Sequence, residues 1–175
     1  MARNVEIKAR IADLDPIRTR VASLASGASQ TTEQTDTFFV VSKGRLKVRA
    51  FADGSGELIA YERSNQPGPK ESVYKRVTCQ DARVLAQALG RVLPVRGTVS
   101  KHREVFLIGR TRVHLDSVRN LGSFVELEVV LAPDEPVEAG HREARNLLAS
   151  LAIPEQALVA DAYIDLLENP RTQRF

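Results

Sequence analysis

Residues 123–131, SFVELEVVL, set two carboxylates two positions apart, with Val125, Leu127 and Val129 alternating against Glu126 and Glu128. In a strand, residues two apart share a face, so both glutamates point the same way. A pair of carboxylates on one face either meets water or holds a cation. Near the N-terminus a second charged alternation appears, Glu6 and Lys8 set against Val5 and Ile7. Further bases follow at the same spacing: Lys47 with Arg49, Lys101 with Arg103, and Arg112 with His114 and Asp116. Arg and Lys suit phosphate oxygens, and clustered carboxylates suit a hard divalent cation that those oxygens also touch. The chemistry such a set offers is metal-assisted work on a polyphosphate.

The elements that must position these residues are mostly strands. Asn4 to Arg10, Asp36 to Val41, RLKVRAF (45–51), LIAYERS (58–64), ESVYKRVT (71–78), Thr98 to Ile108, Thr111 to Val118 and the strand from Ser123 make eight. Lys43-Gly44, ADGSGE (52–57), Gly109-Arg110 and Asn120-Leu121-Gly122 read as the turns between neighbours. SGASQTTEQ (26–34) and NQPGPK (65–70) read as loops. Helical spacing marks 13–24, opened by an Asp-Pro pair, and also 81–89, 137–151 and 154–167. Consecutive hairpins with helices around them give an α+β, antiparallel protein, and eight strands suffice to close a barrel.

Most strands carry one apolar face and one face with charges of both signs. The amphipathic helices need the apolar faces. With the helices outside, the charges become the lining of a closed barrel. That lining comprises the bases Lys8, Lys47, Arg49, Arg63, Lys101, Arg103, Arg112 and one of Lys75 or Arg76. Its acids are Glu6, Asp116, Glu126 and Glu128. Eight bases against four acids leave an interior about four charges positive. Enclosed charges without partners cost several kcal/mol each, so the lining predicts a polyanionic ligand. His114 reads as a lining residue bonded to Asp116 or to a phosphate. Tyr163 reads as packing or a plug at the tunnel end, and His102 and His141 read as surface residues.

Composition narrows the remaining classes. The chain has 175 residues, read as one domain, with 43% hydrophobic and 27% charged residues. The single cysteine, Cys79, permits no intrachain disulfide and fits a reducing compartment. Any metal is then held by oxygens, favouring Mg²⁺ or Mn²⁺ over structural zinc. No apolar run is long enough to cross a bilayer, and MARNVEIKAR lacks the apolar centre of a signal peptide. The expectation is a cytoplasmic protein without a membrane partner. A net charge of +3, 5% aromatic residues and no Trp argue against nucleic acid as partner.

NVEIKAR (4–10), LKVR (46–49), KHREVFLIGRTRVHLDSVRNLGSFVELEVV (101–130) and DAYIDLL (161–167) together resemble the CYTH superfamily, the triphosphate tunnel metalloenzymes. That group includes class IV adenylyl cyclases and thiamine triphosphatases, and the long central stretch looks most like the cyclase branch. The resemblance implies an eight-stranded antiparallel tunnel and a triphosphate-containing small molecule as partner. It implies that Glu126 and Glu128 bind Mg²⁺ or Mn²⁺ with the N-terminal motif, and that Asp116 lies near them. Lys8, Lys47, Arg49, Arg103 and Arg112 would grip phosphates, with Lys101 and Lys75 as weaker members of the set. The implied reaction is ATP to cyclic AMP and pyrophosphate. Release of orthophosphate from a triphosphate, or binding without turnover, remain alternatives. Dimers occur among related proteins, so a homodimer is a further expectation. One position departs from the pattern: the family motif opens with Glu where this chain has Asn4, which offers metal an amide oxygen but no charge.

Overall fold

In a computed structural model of the protein, described for residues 2–66 and 68–169, the charged alternation closes on itself. The strands are β1 (Ala2–Ile11), β2 (Gln30–Phe39), β3 (Arg45–Phe51), β4 (Gly56–Arg63), β5 (Lys70–Cys79), β6 (Val95–Ile108), β7 (Thr111–Val118) and β8 (Gly122–Val130). They form a closed barrel in the order β1-β5-β4-β3-β2-β6-β7-β8, and every pairing is antiparallel. Closure gives every strand, among the described residues, a neighbour on both sides along at least part of its length.

The helices are α1 (Asp15–Leu24), α2 (Ala82–Gly90), α3 (Val137–Ser150) and α4 (Tyr163–Glu168), with a 3-10 turn at Glu155–Ala157. As the face reading requires, helices take the apolar outside. Val5, Ile7 and Ala9 of β1, Val113 and Leu115 of β7, and Val125, Leu127 and Val129 of β8 pack with Ile17 and Val21 of α1 and Ala144 and Leu148 of α3. Gly140 sets how closely α3 lies: a Cβ there would stand 2.7 Å from a Val5 methyl and 2.8 Å from a Leu131 methyl. A smaller apolar cluster joins α2 to Phe39 and Val48, and Asp81 caps α2 by accepting from Val84 N–H at 2.9 Å. The turn into β8 holds Asn120 and Gly122 at φ 65° and 91°, the left-handed geometry that these residue types tolerate. No helix among the described residues is long and apolar enough to cross a membrane.

Two elements differ from the sequence reading. Most of the expected loop 26–34 is strand, because β2 extends back to Gln30 and pairs with β6 as far as Val105. Its Thr and Gln residues reflect an exposed end of a strand, not a turn. The expected helix 154–167 breaks into the 3-10 turn, an extended stretch and α4. β1 pairs with β5 only as far as Glu6, which leaves later backbone groups of β1 without a ladder on that side. Leu158 bridges to Ala9, and Val159 N–H donates to Lys8 C=O at 2.8 Å. Satisfying those groups costs the segment its helix. Pro67, within the expected 65–70 loop, lies outside the described residues.

Candidate functional site

The barrel encloses a cavity of about 270 Å³. Its lining includes Asn4, Glu6, Lys8, Lys47, Arg49, Arg63, Lys101, Arg103, Arg112, Glu126 and Glu128. Strand alternation delivers these side chains inward, and the register places them beside one another. Across β1 and β8, Glu6 faces Glu128 and Lys8 faces Glu126; across β7 and β8, Arg112 faces Glu128 and His114 faces Glu126.

Two predicted residues stand apart. Lys75 is exposed on the other face of β5, whereas Tyr74 and Arg76 line the cavity. Pairing of Ile59 with Arg76 and of Tyr61 with Tyr74 decides between the two bases. Asp116 is fully buried behind the lining, where Arg103 donates to it at 2.7 and 2.6 Å and Tyr163 O–H donates at 2.8 Å. Burial alone would raise the Asp116 carboxyl, but the Arg103 guanidinium overrides it and holds the group down to about 2. With both oxygens engaged, Asp116 orients Arg103 and is not placed to ligate a cation.

The structure adds residues that the sequence reading did not single out. Asp36, 2% exposed, is the anion around which three bases gather: Arg49 at 2.8 and 2.9 Å, Lys47 at 2.8 Å and Lys101 at 3.6 Å. Those charges overcome burial and hold its carboxyl well below the usual carboxylate range. No local pattern pointed to Asp36, which follows a polar run. Glu57 also lines the cavity, 3.6 Å from Arg76, the base that the sequence reading left as an alternative to Lys75. With Asp36 and Glu57 counted, eight bases face five carboxylates in the lining, so the interior stays positive by three.

The two ends of the barrel differ. Tyr163 lies in the cavity wall, with the Lys8 ammonium 3.9 Å from its ring centre and its ring edge against Phe124. The Lys70 ammonium donates to Ala160 C=O at 2.8 Å, and Arg45 and Arg96 both bind Asp165. These contacts draw residues 158–166 across one end, as the plug reading of Tyr163 expected. There Lys8 and Lys101 are 4% and 3% exposed, whereas Arg112 and Arg76 toward the other end are 27% and 45% exposed. Among the described residues, the lining is thus more open toward Arg112 and Arg76 than toward Lys8 and Lys101. Burial lowers the Lys8 ammonium to about 8, and burial reinforced by the Arg103 charge lowers that of Lys101 to about 7.

Glu126, Glu128 and His114 each offer a ligand atom, all within 4.8 Å of one another. Glu126 accepts from Arg103 at 2.8 Å and Glu128 from Arg112 at 2.9 Å. Both carboxyls lie below their usual range: burial is the largest effect and opposes this, but Lys8, His114 and Arg103 together outweigh it at Glu126, and His114, Arg112 and Arg103 together outweigh it at Glu128. Glu6 goes the other way, raised by burial and by repulsion from Glu126 and Glu128 despite Arg63 at 3.2 Å. A divalent cation among these groups would relieve that repulsion. Asn4 Oδ1 and His114 Nδ1 are buried without hydrogen-bond partners, as donor atoms that await a cation would be. The donor set fits a metal. His102 is exposed and bound to Glu33, and His141 is half-buried on α3 rather than at the surface.

A family model for the CYTH domain matches residues 2–163. The chain belongs to the CYTH family. Members bind triphosphate substrates, depend on metal and are typically cyclases or triphosphatases. The fold is shared with the PH1012 protein of Pyrococcus horikoshii OT3, at 22% identity and a TM-score of 0.82, over 93% of this chain and 98% of that one. A Vibrio parahaemolyticus protein provisionally assigned as an adenylate cyclase superposes at 18% identity and a TM-score of 0.77, over 95% and 98% of the two chains. A Hippeastrum protein of adenylyl cyclase type, with a dominant triphosphatase activity, superposes at 15% identity and 0.65, over 98% and 97%. No curated protein matches the chain. The CYTH fold accounts for the closed tunnel and its charged interior.

Proposed function

We propose that this CYTH protein is a metal-dependent triphosphatase that releases orthophosphate from the terminal position of a triphosphate. The observation that carries the reading is the uneven exposure of the lining, open at Arg112 and Arg76 and closed at Lys8 and Lys101, with the carboxylates Glu126 and Glu128 inside that opening. A triphosphate entering end-on leads with its terminal phosphate. The cavity of about 270 Å³ lies just under the ~300–1,000 Å³ of typical small-molecule sites. It has room for a phosphate chain, and a nucleoside would remain at the mouth.

The reaction breaks the bond between the terminal phosphorus and its bridging oxygen and forms one from that phosphorus to a water oxygen. One water proton goes to the departing pyrophosphate end and the other stays on the orthophosphate, with both exchanging with solvent. Mg²⁺ or Mn²⁺ held by Glu126 and Glu128, with Glu6 and Asn4 beside them, would neutralise phosphate charge and orient the water. The chain's own bases carry the rest. Lys47, Arg49 and Lys101, gathered on Asp36, bind the chain of phosphates. Arg103, fixed by Asp116, faces the charge that develops on the bridging oxygen. Arg63, whose Nε and Nη2 are buried without partners, has donors free for a further phosphate oxygen.

The test is incubation of the protein with inorganic triphosphate or ATP and Mg²⁺ or Mn²⁺. Orthophosphate is the expected product. Cyclic AMP with pyrophosphate would replace this reading with a cyclase, and tight binding without turnover would replace it with a binder. Glu126→Gln and Glu128→Gln should each lower metal-dependent turnover more than about 100-fold with the fold intact by circular dichroism. Unchanged turnover in both removes the metal assignment.

A further inference from the structure

The carboxylates of this tunnel are short of charge for a cation. Glu126 shares an oxygen with Arg103 at 2.8 Å, Glu128 shares one with Arg112 at 2.9 Å, and Glu6 is bound to Arg63. The position where a further carboxylate would help holds Asn4. Against this deficit stands His114. It is 4% exposed, and its Nδ1 has no hydrogen-bond partner. That nitrogen lies 3.8 Å from Glu126 Oε2 and 3.8 Å from Glu128 Oε1, too far for hydrogen bonds to either. A buried ring nitrogen without a hydrogen-bond partner in the protein is costly. A cation between the three atoms removes that cost, and atoms at these separations can all reach one ion.

We propose that His114 Nδ1 is a metal ligand in this tunnel and makes the site prefer Mn²⁺ to Mg²⁺. Imidazole contributes affinity without charge, which suits a site already crowded with Arg103, Arg112 and Lys8. Mg²⁺ favours an all-oxygen octahedron and keeps its waters, whereas first-row transition ions gain from a nitrogen donor. The ligating tautomer carries its proton on Nε2 and presents the Nδ1 lone pair to the carboxylates. The sequence reading, with oxygen ligands alone, left Mg²⁺ and Mn²⁺ equivalent; the nitrogen separates them. This inference rests on the metal-dependent reading above, and its test separates the two.

The protein is titrated with Mn²⁺, without and with inorganic triphosphate, and the bound ion is examined by electron spin-echo envelope modulation. The expected result is a ¹⁴N coupling from one directly bound imidazole in the unmodified protein, lost in His114→Gln. The substitution should weaken Mn²⁺ binding about tenfold or more and Mg²⁺ binding by distinctly less, so that the preference narrows. Bound Mn²⁺ without a ¹⁴N coupling overturns the role of His114 and leaves the metal-dependent reading standing. Equal weakening of Mg²⁺ and Mn²⁺ in a variant whose spectrum has lost the ¹⁴N coupling overturns the preference. Failure of both ions to bind the unmodified protein, even with triphosphate present, overturns both readings. The first measurement needs no variant, so misfolding of His114→Gln cannot obscure it.

Discussion

Asp36→Asn removes the anion on which three of the eight lining bases are assembled. The substitution keeps shape and deletes one charge. At an effective dielectric near 20, the attraction of Asp36 for Lys101 at 3.6 Å is about 4–5 kcal/mol, and for each of Lys47 and Arg49 at 2.8 Å about 6 kcal/mol. Most of that gross attraction is offset by the desolvation of the buried groups. Breaking such a set by removing one partner costs about 3–5 kcal/mol, because the cations stay buried without compensation. The ligand-free variant should therefore lose about 3–5 kcal/mol in urea unfolding. A bound polyanion supplies the missing charge. Metal-free inorganic triphosphate at about pH 6 should bind the variant about tenfold more tightly than the unmodified protein, a gain of ~1.4 kcal/mol. The sign with pH is also set. A carboxyl depressed in the folded state contributes stability above its unfolded value and loses it only as pH falls through the folded value. Asp36 itself therefore adds no pH dependence from about pH 5 to pH 8, but its charge also supports the Lys101 ammonium, so the stability gap between the two proteins should narrow as pH rises through about 7 and Lys101 loses its proton. A variant within about 0.5 kcal/mol of the unmodified protein, or one that binds triphosphate more weakly, refutes the view of Asp36 as a stand-in for substrate phosphate.

Other expectations follow from the same lining. Lys101, lowered to about 7 by burial and by Arg103, is largely neutral in the free protein at pH 8. Phosphate binding restores its charge, so calorimetry at pH 8 in buffers of different ionisation enthalpy should show proton uptake. Lys101→Arg should reduce that uptake, and an unchanged value would place the proton elsewhere. The same depression means that folding stability rises with pH from about 7 toward the unfolded lysine value, and Lys101→Met should lessen that rise in denaturation profiles, leaving the part due to Lys8 and Lys70, each lowered to about 8. Arg76→Ala, at the mouth, should raise KM for triphosphate about three- to tenfold, whereas Lys75→Ala should leave it unchanged. Equal effects of the two would contradict the register of β4 and β5.

The alternation of charged and apolar residues was legible in the sequence because the side-chain period of a strand is a property of its own backbone. It assigned Lys47, Arg49, Lys101, Arg103, Arg112, Glu126 and Glu128 to one face before any partner strand was known. The choice of helices outside and charges inside followed from the same pattern, since only one face of each strand accepts an apolar helix. Between Lys75 and Arg76 the pattern was silent: β5 carries both, and the pairing of Ile59 with Arg76 decides. Asp36 gained its role only when β2 came to lie between β3 and β6, bringing Arg49 and Lys101 to one carboxylate from opposite sides. Asp116 shows the converse, a residue on the expected face whose neighbours Arg103 and Tyr163 take up its oxygens. The break in the C-terminal helix likewise depends on backbone groups of β1 about 150 residues away, at Lys8 and Ala9. Which way a side chain points is decided within a few residues. What it meets there is decided by strand order and register, and those come from closing the whole barrel.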